Sequence, residues 1–146
     1  MTNGYEDLSV GDRFPFGDYR VTEAEIREFA DAYDPQPFHL DPEAAADSLF
    51  GELIASGWHT GSISMRLLVE YAFDEIAIMG GRGLGDLRWH TPVYPGDVLS
   101  GSAEVVDKSD DGHPERGTVD FEITITKADG TVAMSYVTTG MVRKRV

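Results

Sequence analysis

Apolar and polar residues alternate most regularly in residues 117–127. Val119, Phe121, Ile123 and Ile125 are each separated by one polar residue. This is the period of a β-strand that buries one face and exposes the other to water.

Turn-forming residues separate this segment from others of strand character. Residues 128–131, Ala-Asp-Gly-Thr, have the composition of a tight hairpin, and residues 94–97 contain a Pro-Gly pair. The pattern therefore predicts an antiparallel meander whose strands occupy residues 85–93, 98–108, 117–127 and 131–142.

A long apolar segment precedes these strands. Residues 56–78 carry apolar side chains on nearly every side of a helix, and the first charged residue among them is Arg66. A helix that is hydrophobic most of the way round must be buried on most sides. We therefore predict an α+β fold in which the antiparallel sheet wraps around one long central helix.

The first third of the chain predicts a strand and two shorter helices. Residues 14–21 have strand character, and Thr22 and Glu25 form a capping box that starts a helix. The predicted apolar face of this helix consists of Ile26, Phe29, Ala30 and Tyr33. Two prolines then make residues 34–39 a stiff, irregular loop, and Asp41 caps a short helix with proline at its first position.

Composition limits the chemistry and the partners of the protein. The 146 residues suffice for one domain with its own core, and we expect residues 1–146 to form a single domain. The absence of cysteine excludes disulfides, thiolate metal sites and cysteine nucleophiles. The net charge of −14 disfavours nucleic acid and anionic membrane surfaces as partners.

The charged residues and the N-terminus also suggest where the protein works. Acidic residues number 26 against 12 basic ones, aspartate outnumbers glutamate, and lysine is rare. This balance is typical of a halophilic protein that stays soluble at high salt, which we keep as a hypothesis. The N-terminus has no basic region followed by an apolar one, and no apolar run of about 18 residues occurs, so we expect a cytoplasmic location.

Asp34 and His39 are the first candidates for chemistry. The prolines between them hold two titratable groups near each other with little conformational freedom. Such a pair can activate one water molecule and exchange protons with a neighbouring carbon. Taken alone, a turn or capping role for Asp34 and a packing role for His39 are the stronger explanation of these two residues.

Gly57 is the second candidate, because it opens the predicted central helix. A glycine at a helix N-terminus lets a ligand approach backbone N–H groups that carry partial positive charge. Such donors stabilise an oxygen that gains negative charge during a reaction. The alternative is that Ser56 simply caps the helix, with Gly57 beside it.

Three motifs occur in an order that resembles a known family. Residues 32–41 resemble the hydratase motif of the MaoC-like (R)-specific enoyl-CoA hydratases, an Asp and a His separated by four residues. The glycine-opened helix at 54–59 and the Pro-Val-x-x-Gly-Asp sequence at 92–97 follow in the family's order, and the similarity begins near residue 10. The resemblance implies a hot-dog fold and a hydro-lyase that adds water to a 2-enoyl-CoA, or removes it.

The resemblance also implies roles for individual residues. Asp34 and His39 would activate and place the catalytic water, and the Gly57 N–H would bind the thioester oxygen. Ser56, Trp58 and His59 are further candidates for substrate binding. The chain departs from the family at Gln36 (usually Asn), at Ser56 (often His) and at Met65, where bacterial members often place a serine.

The glycine-rich segment 80–85 has the wrong neighbours for a dinucleotide loop, since a helix precedes it and a strand follows. We expect it to be a flexible connection that lets Arg82 reach a phosphate of coenzyme A. No two histidines have the i, i+4 spacing of a helical metal site, and coenzyme A is part of the substrate. We therefore expect neither a metal nor a separate cofactor.

The partners and two alternative functions follow from the fold. A five-stranded sheet with an open edge favours a homodimer or larger assembly, and the resemblance implies that each site lies at the dimer interface. A hot-dog thioesterase would use the same helix N-terminus. A non-catalytic acyl-CoA-binding subunit would keep Asp34 and His39 for structure only.

Overall fold

The computed structural model describes residues 2–145 of the chain. Five antiparallel strands form one sheet in the order β1-β3-β4-β5-β2. The strands are β1 Arg13–Arg20, β2 Ile78–Trp89, β3 Val98–Ser109, β4 Arg116–Lys127 and β5 Val132–Arg143. The helices are α1 Glu23–Tyr33, α2 Pro37–Leu40, α3 Pro42–Ala46 and α4 Gly57–Tyr71, with 3-10 turns at Tyr5–Asp7 and Phe73–Glu75. The sheet packs around α4, which confirms the predicted α+β hot-dog architecture.

The core lies between α4 and one face of the sheet. The four alternating apolar residues of β4 are fully buried, as their spacing predicts. They belong to the same continuous core as Leu67 and Leu68 of α4. Burial of one side chain of this size contributes about 1.5–3 kcal/mol to stability, so this face holds the helix in place.

Strand β2 begins earlier than predicted. The sequence predicts a flexible connection at 80–85 and a strand at 85–93, whereas the structure has one strand, Ile78–Trp89, that includes the whole glycine-rich segment. Glycines give no alternation of apolar and polar side chains, and the pairing of β2 with β5 shifts register at three places. The strand therefore leaves no periodic signal in the sequence.

The predicted meander is confirmed only for β3, β4 and β5. Strand β2 does not lie beside β3, its neighbour in sequence, but joins the far edge of the sheet beside β5. The first strand, β1, pairs with β3 and forms the other edge.

Helix α4 is shorter and less enclosed than predicted. It ends at Tyr71 rather than near residue 78, because Ala72 leaves the helical conformation (φ −122°, ψ −55°) and a 3-10 turn follows. One side of the helix is open: Trp58, Met65 and Val69 are between 42% and 58% exposed. Their spacing places them on one face of the helix, and we call these three residues the α4 stripe. The expectation of burial on most sides was wrong because the sheet does not enclose this face.

The segment before α4 follows the prediction in most respects. Thr22 and Glu25 form the capping box of α1, and Asp41 caps α3. Tyr33 was predicted on the buried face but is exposed, because it occupies the last turn of α1. The predicted irregular loop at 34–39 contains the start of α2, since the fixed φ angle of Pro37 suits the first position of a helix.

Candidate active site

A cavity of about 430 Å³ opens at the N-terminus of α4, within the size range of small-molecule sites. Three parts of the chain form it: the segment between α1 and α4, the first turn of α4, and the residues that end and follow β2. Asp34, His39 and Ser56 form a polar wall, and Phe38, Phe50 and Ile54 contribute apolar surface. The cavity can therefore hold a polar reacting group beside an apolar chain.

Asp34 and His39 meet in this cavity. Asp34 caps the C-terminus of α1, and α2 directs His39 back toward it, so that Nε2 of His39 lies 3.3 Å from Oδ2 of Asp34. His39 is buried, whereas Asp34 keeps partial contact with solvent. The structure brings together the two residues that the sequence predicts as an acid–base pair, and their catalytic role remains a prediction.

The hydrogen-bond partners of His39 fix its protonation pattern. Nδ1 lies 2.7 Å from the carbonyl oxygen of Ile54, which can only accept a hydrogen bond, so Nδ1 carries a hydrogen. Nε2 then faces the carboxylate of Asp34. The contact is an ion pair when Nε2 is also protonated, and a proton bound at Nε2 can be passed to a neighbouring group.

Asp34 also accepts two other hydrogen bonds. Oδ1 accepts one from Nε2 of Gln36, and Oδ2 accepts one from Oγ of Ser56, both at 2.7 Å. Burial raises the pKa of Asp34, but these two hydrogen bonds and the charge of His39 outweigh burial and lower the pKa below its ordinary value. Asp34 is therefore ionised at neutral pH.

The N-terminus of α4 supplies a hydrogen-bond donor to the same cavity. Ser56 is the N-cap, and its Oγ accepts the N–H of Trp58, while the N–H groups of His59 and Thr60 are bonded to the Ser56 carbonyl. Among residues 2–145, the Gly57 N–H has no acceptor. Gly57 also lines the cavity. Its N–H, supported by the positive end of the helix dipole, can donate to an anionic oxygen bound there.

Trp89 is a cavity residue that the sequence did not reveal. Its Nε1–H donates to the carbonyl oxygen of Gly57 at 2.9 Å, and its ring meets Trp58 edge to face, with the ring centres 5.4 Å apart. The contact joins residues 32 positions apart in the chain. No local pattern predicts such a contact.

The serine that family members often place near the aspartate has no counterpart at Met65. Met65 belongs to the exposed α4 stripe, and its buried neighbour Ser64 bonds the Gly61 carbonyl and the Tyr136 hydroxyl. The serine that reaches Asp34 is Ser56 instead. Its one proton goes to Asp34 in this structure, and the expected role of Ser56 in substrate binding remains a prediction.

His59 and Arg82 do not line this cavity, and their expected contacts with the substrate remain predictions. His59 follows Gly57 by two positions, about 200° around the helix, and stacks on Phe29 of α1 with the ring centres 4.9 Å apart. Its Nε2 lies 3.9 Å from Oε2 of Glu25. Arg82 precedes Trp89 by seven residues in the same strand, roughly 20 Å away, and lines a separate depression with Asp120 and Val137.

Residues 2–145 contain no group of three His, Asp or Glu side chains arranged to hold a metal ion. No helix in this range is both long and apolar enough to cross a membrane.

Comparison with known proteins identifies a family. Residues 9–127 match the MaoC like domain family. The chain is 35% identical to the uncharacterized protein YdeM of Bacillus subtilis over 70% of this chain and 73% of that protein. It is 32% identical to 3-hydroxyacyl-thioester dehydratase Z of Mycobacterium tuberculosis, over 84% of this chain and 82% of the dehydratase.

A solved structure agrees with these relatives. The MaoC-like dehydratase from Rhodospirillum rubrum is 40% identical in sequence and superimposes with a TM-score of 0.87, over 99% of each chain.

Proposed function

Since this chain belongs to the MaoC-like dehydratase family, we propose that it is an (R)-specific hydro-lyase acting on acyl-CoA thioesters. In one direction it adds water to the double bond of a 2-enoyl-CoA, and in the other it removes water from the 3-hydroxyacyl-CoA. A relative with 32% identity is named as a dehydratase of 3-hydroxyacyl thioesters, which supports this reaction class. The (R) configuration and the coenzyme A carrier rest on the family resemblance.

One observation carries the proposal: the Asp34–His39 pair and Gly57, whose N–H has no acceptor among residues 2–145, line the same cavity. Hydration of a 2-enoyl thioester needs a base for the water and a proton for carbon 2. It also needs a donor for the oxygen that becomes negative in the enolate. We assign these three tasks to Asp34, His39 and the Gly57 N–H, respectively.

In the proposed reaction, Asp34 accepts a proton from a bound water molecule while the oxygen of that water forms a bond to carbon 3. The electrons of the double bond move onto the thioester oxygen, where the Gly57 N–H stabilises the charge. The proton at Nε2 of His39 is then delivered to carbon 2 as the enolate collapses. The proton that Asp34 gained then passes to Nε2 of His39, which returns both residues to their starting state. The proposed cycle consumes one water and assigns no role to a metal or a further cofactor.

The apolar wall supports an acyl chain as the remaining part of the substrate. Phe38 and Phe50 approach each other with ring centres 5.4 Å apart, and both line the cavity beside Ile54. They come from the segment that covers the N-terminus of α4. An acyl chain lying on this wall would leave the thioester near Gly57 and its double bond near Asp34.

We further propose that two copies of the chain form a dimer. Strand β2 is an edge of the sheet, and residues 81–86 are exposed along it. Such an edge presents unpaired backbone groups that a second β2 can satisfy by two-fold pairing. The same association would cover the α4 stripe, whose exposed apolar residues are otherwise unfavourable in water. The cytoplasmic location expected from the N-terminal sequence remains a prediction.

The experiment that tests the function measures two products at once. The purified protein is incubated with crotonyl-CoA and with longer 2-enoyl-CoAs, while the conjugated thioester absorbance and the release of free thiol are followed. Loss of absorbance without thiol is the expected result. Thiol release would indicate a thioesterase, and no change across chain lengths and salt concentrations would favour a binding subunit. The variant Asp34→Asn is the matched control for background hydration.

A further inference from the structure

We propose that Ser56 is a positioning residue for Asp34: its hydroxyl ties the carboxylate to the N-terminus of α4, so that the base and the Gly57 N–H are held as one unit. This inference rests on the proposed hydration reaction for its effect on rate. The geometry that carries it does not depend on that reaction.

The hydroxyl of Ser56 has only one possible orientation. Its oxygen accepts the backbone N–H of Trp58 at 3.3 Å. An N–H can only donate, so the single hydroxyl proton is left for Oδ2 of Asp34, which lies 2.7 Å away. Ser56 is fully buried, so its hydroxyl has no contact with bulk water.

This bond connects two separate elements. Asp34 belongs to the C-terminus of α1, whereas Ser56 and Gly57 begin α4, 22 residues later. Gln36, the donor to the other carboxylate oxygen, lies only two residues from Asp34 and is exposed. Gln36 can therefore orient the carboxylate within its own segment, but it cannot fix the distance from Asp34 to Gly57. Ser56 links the carboxylate directly to the residue that precedes Gly57.

Two effects follow from this link. A hydrogen bond donated to a carboxylate favours its ionised form, so loss of the Ser56 hydroxyl makes Asp34 hold its proton to higher pH. A hydrogen bond to a charged group is also among the stronger ones in proteins, so its loss lets the carboxylate move relative to the helix N-terminus. The first effect changes a pH profile, and the second changes kcat more than KM.

The test uses Ser56→Gly, because glycine is a good helix N-cap and keeps most of the capping stability. Ser56→Thr retains a hydroxyl. Thr22→Ala removes the N-cap hydroxyl of α1, which accepts the backbone N–H of Glu25 and does not contact Asp34. This variant therefore controls for the loss of a helix cap alone. The unfolding midpoint of each variant is measured first, followed by kcat and KM across pH and by the carboxyl titration of Asp34. That titration is obtained by 13C NMR, as the signal that disappears in Asp34→Asn.

We expect Ser56→Gly to lower kcat by roughly tenfold to a hundredfold near the acid limb of the pH profile. The limb and the Asp34 titration should both move to higher pH. Ser56→Thr should restore both, and Thr22→Ala should move neither. An unshifted titration in Ser56→Gly, or an equal shift in Thr22→Ala, would overturn the inference. If the native protein hydrates no enoyl-CoA, the proposed function fails, while the NMR titration still decides the role of Ser56.

Discussion

The indole ring of Trp89 lies against the α-carbon of Gly57. A methyl group added at Gly57 would lie only 2.3 Å from Cε2 of the indole, a distance at which the ring must move. The glycine that opens α4 is thus required by a neighbouring side chain as well as by the proposed substrate oxygen. A substitution at Gly57 therefore has two effects: it displaces Trp89, and it obstructs the proposed position of the substrate oxygen.

We expect Gly57→Ala to destabilise the fold as well as to impair activity, because the methyl group displaces Trp89. Residues in direct contact show coupling energies of about 0.5–3 kcal/mol. The double variant Gly57→Ala/Trp89→Leu should therefore be more stable than the sum of the single changes predicts, as measured by urea unfolding.

Gly61→Ala provides the matched control in the same helix. The added methyl group would lie 3.4 Å from Cε of Met134, an ordinary contact, and alanine favours a helix interior over glycine by about 1 kcal/mol. Gly61→Ala should be neutral or stabilising. In the double variant at Gly57 and Trp89, additive changes in the unfolding free energy would show that the two residues do not interact.

His59 gives the stability a pH dependence. Burial lowers the pKa of His59, and the nearby charge of Glu25 opposes this only in part. Its Nδ1 is also buried without a hydrogen-bond partner among residues 2–145. Because the pKa is lower in the folded protein than in the unfolded chain, the unfolded chain binds the proton first as pH falls. The contribution of His59 is thus complete above about pH 6.5 and is lost as pH falls toward its folded-state pKa.

The measurement is the urea unfolding free energy of the native protein and of His59→Gln between pH 8 and pH 5. The native protein should lose more stability than the variant below about pH 6.5. Parallel curves would contradict this role for His59.

The periodic elements were predictable from the sequence, and the aperiodic ones were not. The alternation in β4 and the Thr22 capping box each depend on neighbouring residues, so the sequence predicts them correctly. Strand β2 was missed at its glycine-rich start, since the pairing of its backbone with β5 requires no particular side chain there. The sequence contains no information within β2 itself that distinguishes this start from a loop.

The same distinction holds for the candidate site. Asp34 and His39 are close in sequence and joined by prolines, so their proximity could be predicted. The bond from Ser56 to Asp34 and the contact of Trp89 with Gly57 join distant segments, and only the packed fold brings them together. The sequence did not show that Arg82 and His59 lie outside this cavity, because the direction of a side chain from a strand or helix depends on the exact bounds of that element.

Dimerisation can be tested on the α4 stripe. Val69 is 49% exposed, and Val69→Glu should weaken association without disturbing the core of one subunit, because a dimer would bury the added charge. Sedimentation velocity at micromolar concentration and high salt should show a dimer for the native protein and more monomer for the variant. Val10→Glu, at an exposed valine outside α4, is the control and should remain dimeric. A native protein that sediments as a monomer would contradict the proposed assembly.

The halophilic hypothesis predicts a rising thermal midpoint between low salt and molar KCl. With a net charge of −14, self-repulsion destabilises the folded chain at low ionic strength, and salt screens this repulsion. Differential scanning fluorimetry across the KCl series provides the measurement. A flat or falling midpoint would refute the habitat hypothesis and leave the proposed chemistry unaffected.

His39→Gln and Asp34→Asn should act on one step. Each removes one member of the proposed acid–base pair, and each should lower kcat by roughly 10²–10⁴. Because the two residues form one unit, the double variant should lose little more than the worse single variant. Losses that multiply in the double variant would indicate two independent roles.

The hydratase activity of Asp34→Asn tests the central claim most directly. The substitution keeps the size of the side chain and removes the base. We expect crotonyl-CoA hydration to fall by roughly 10²–10⁴ in kcat, with an unfolding midpoint close to that of the native protein. Near-native activity would contradict the assignment of Asp34 as the catalytic base, as would unfolding of the variant without a specific loss of catalysis.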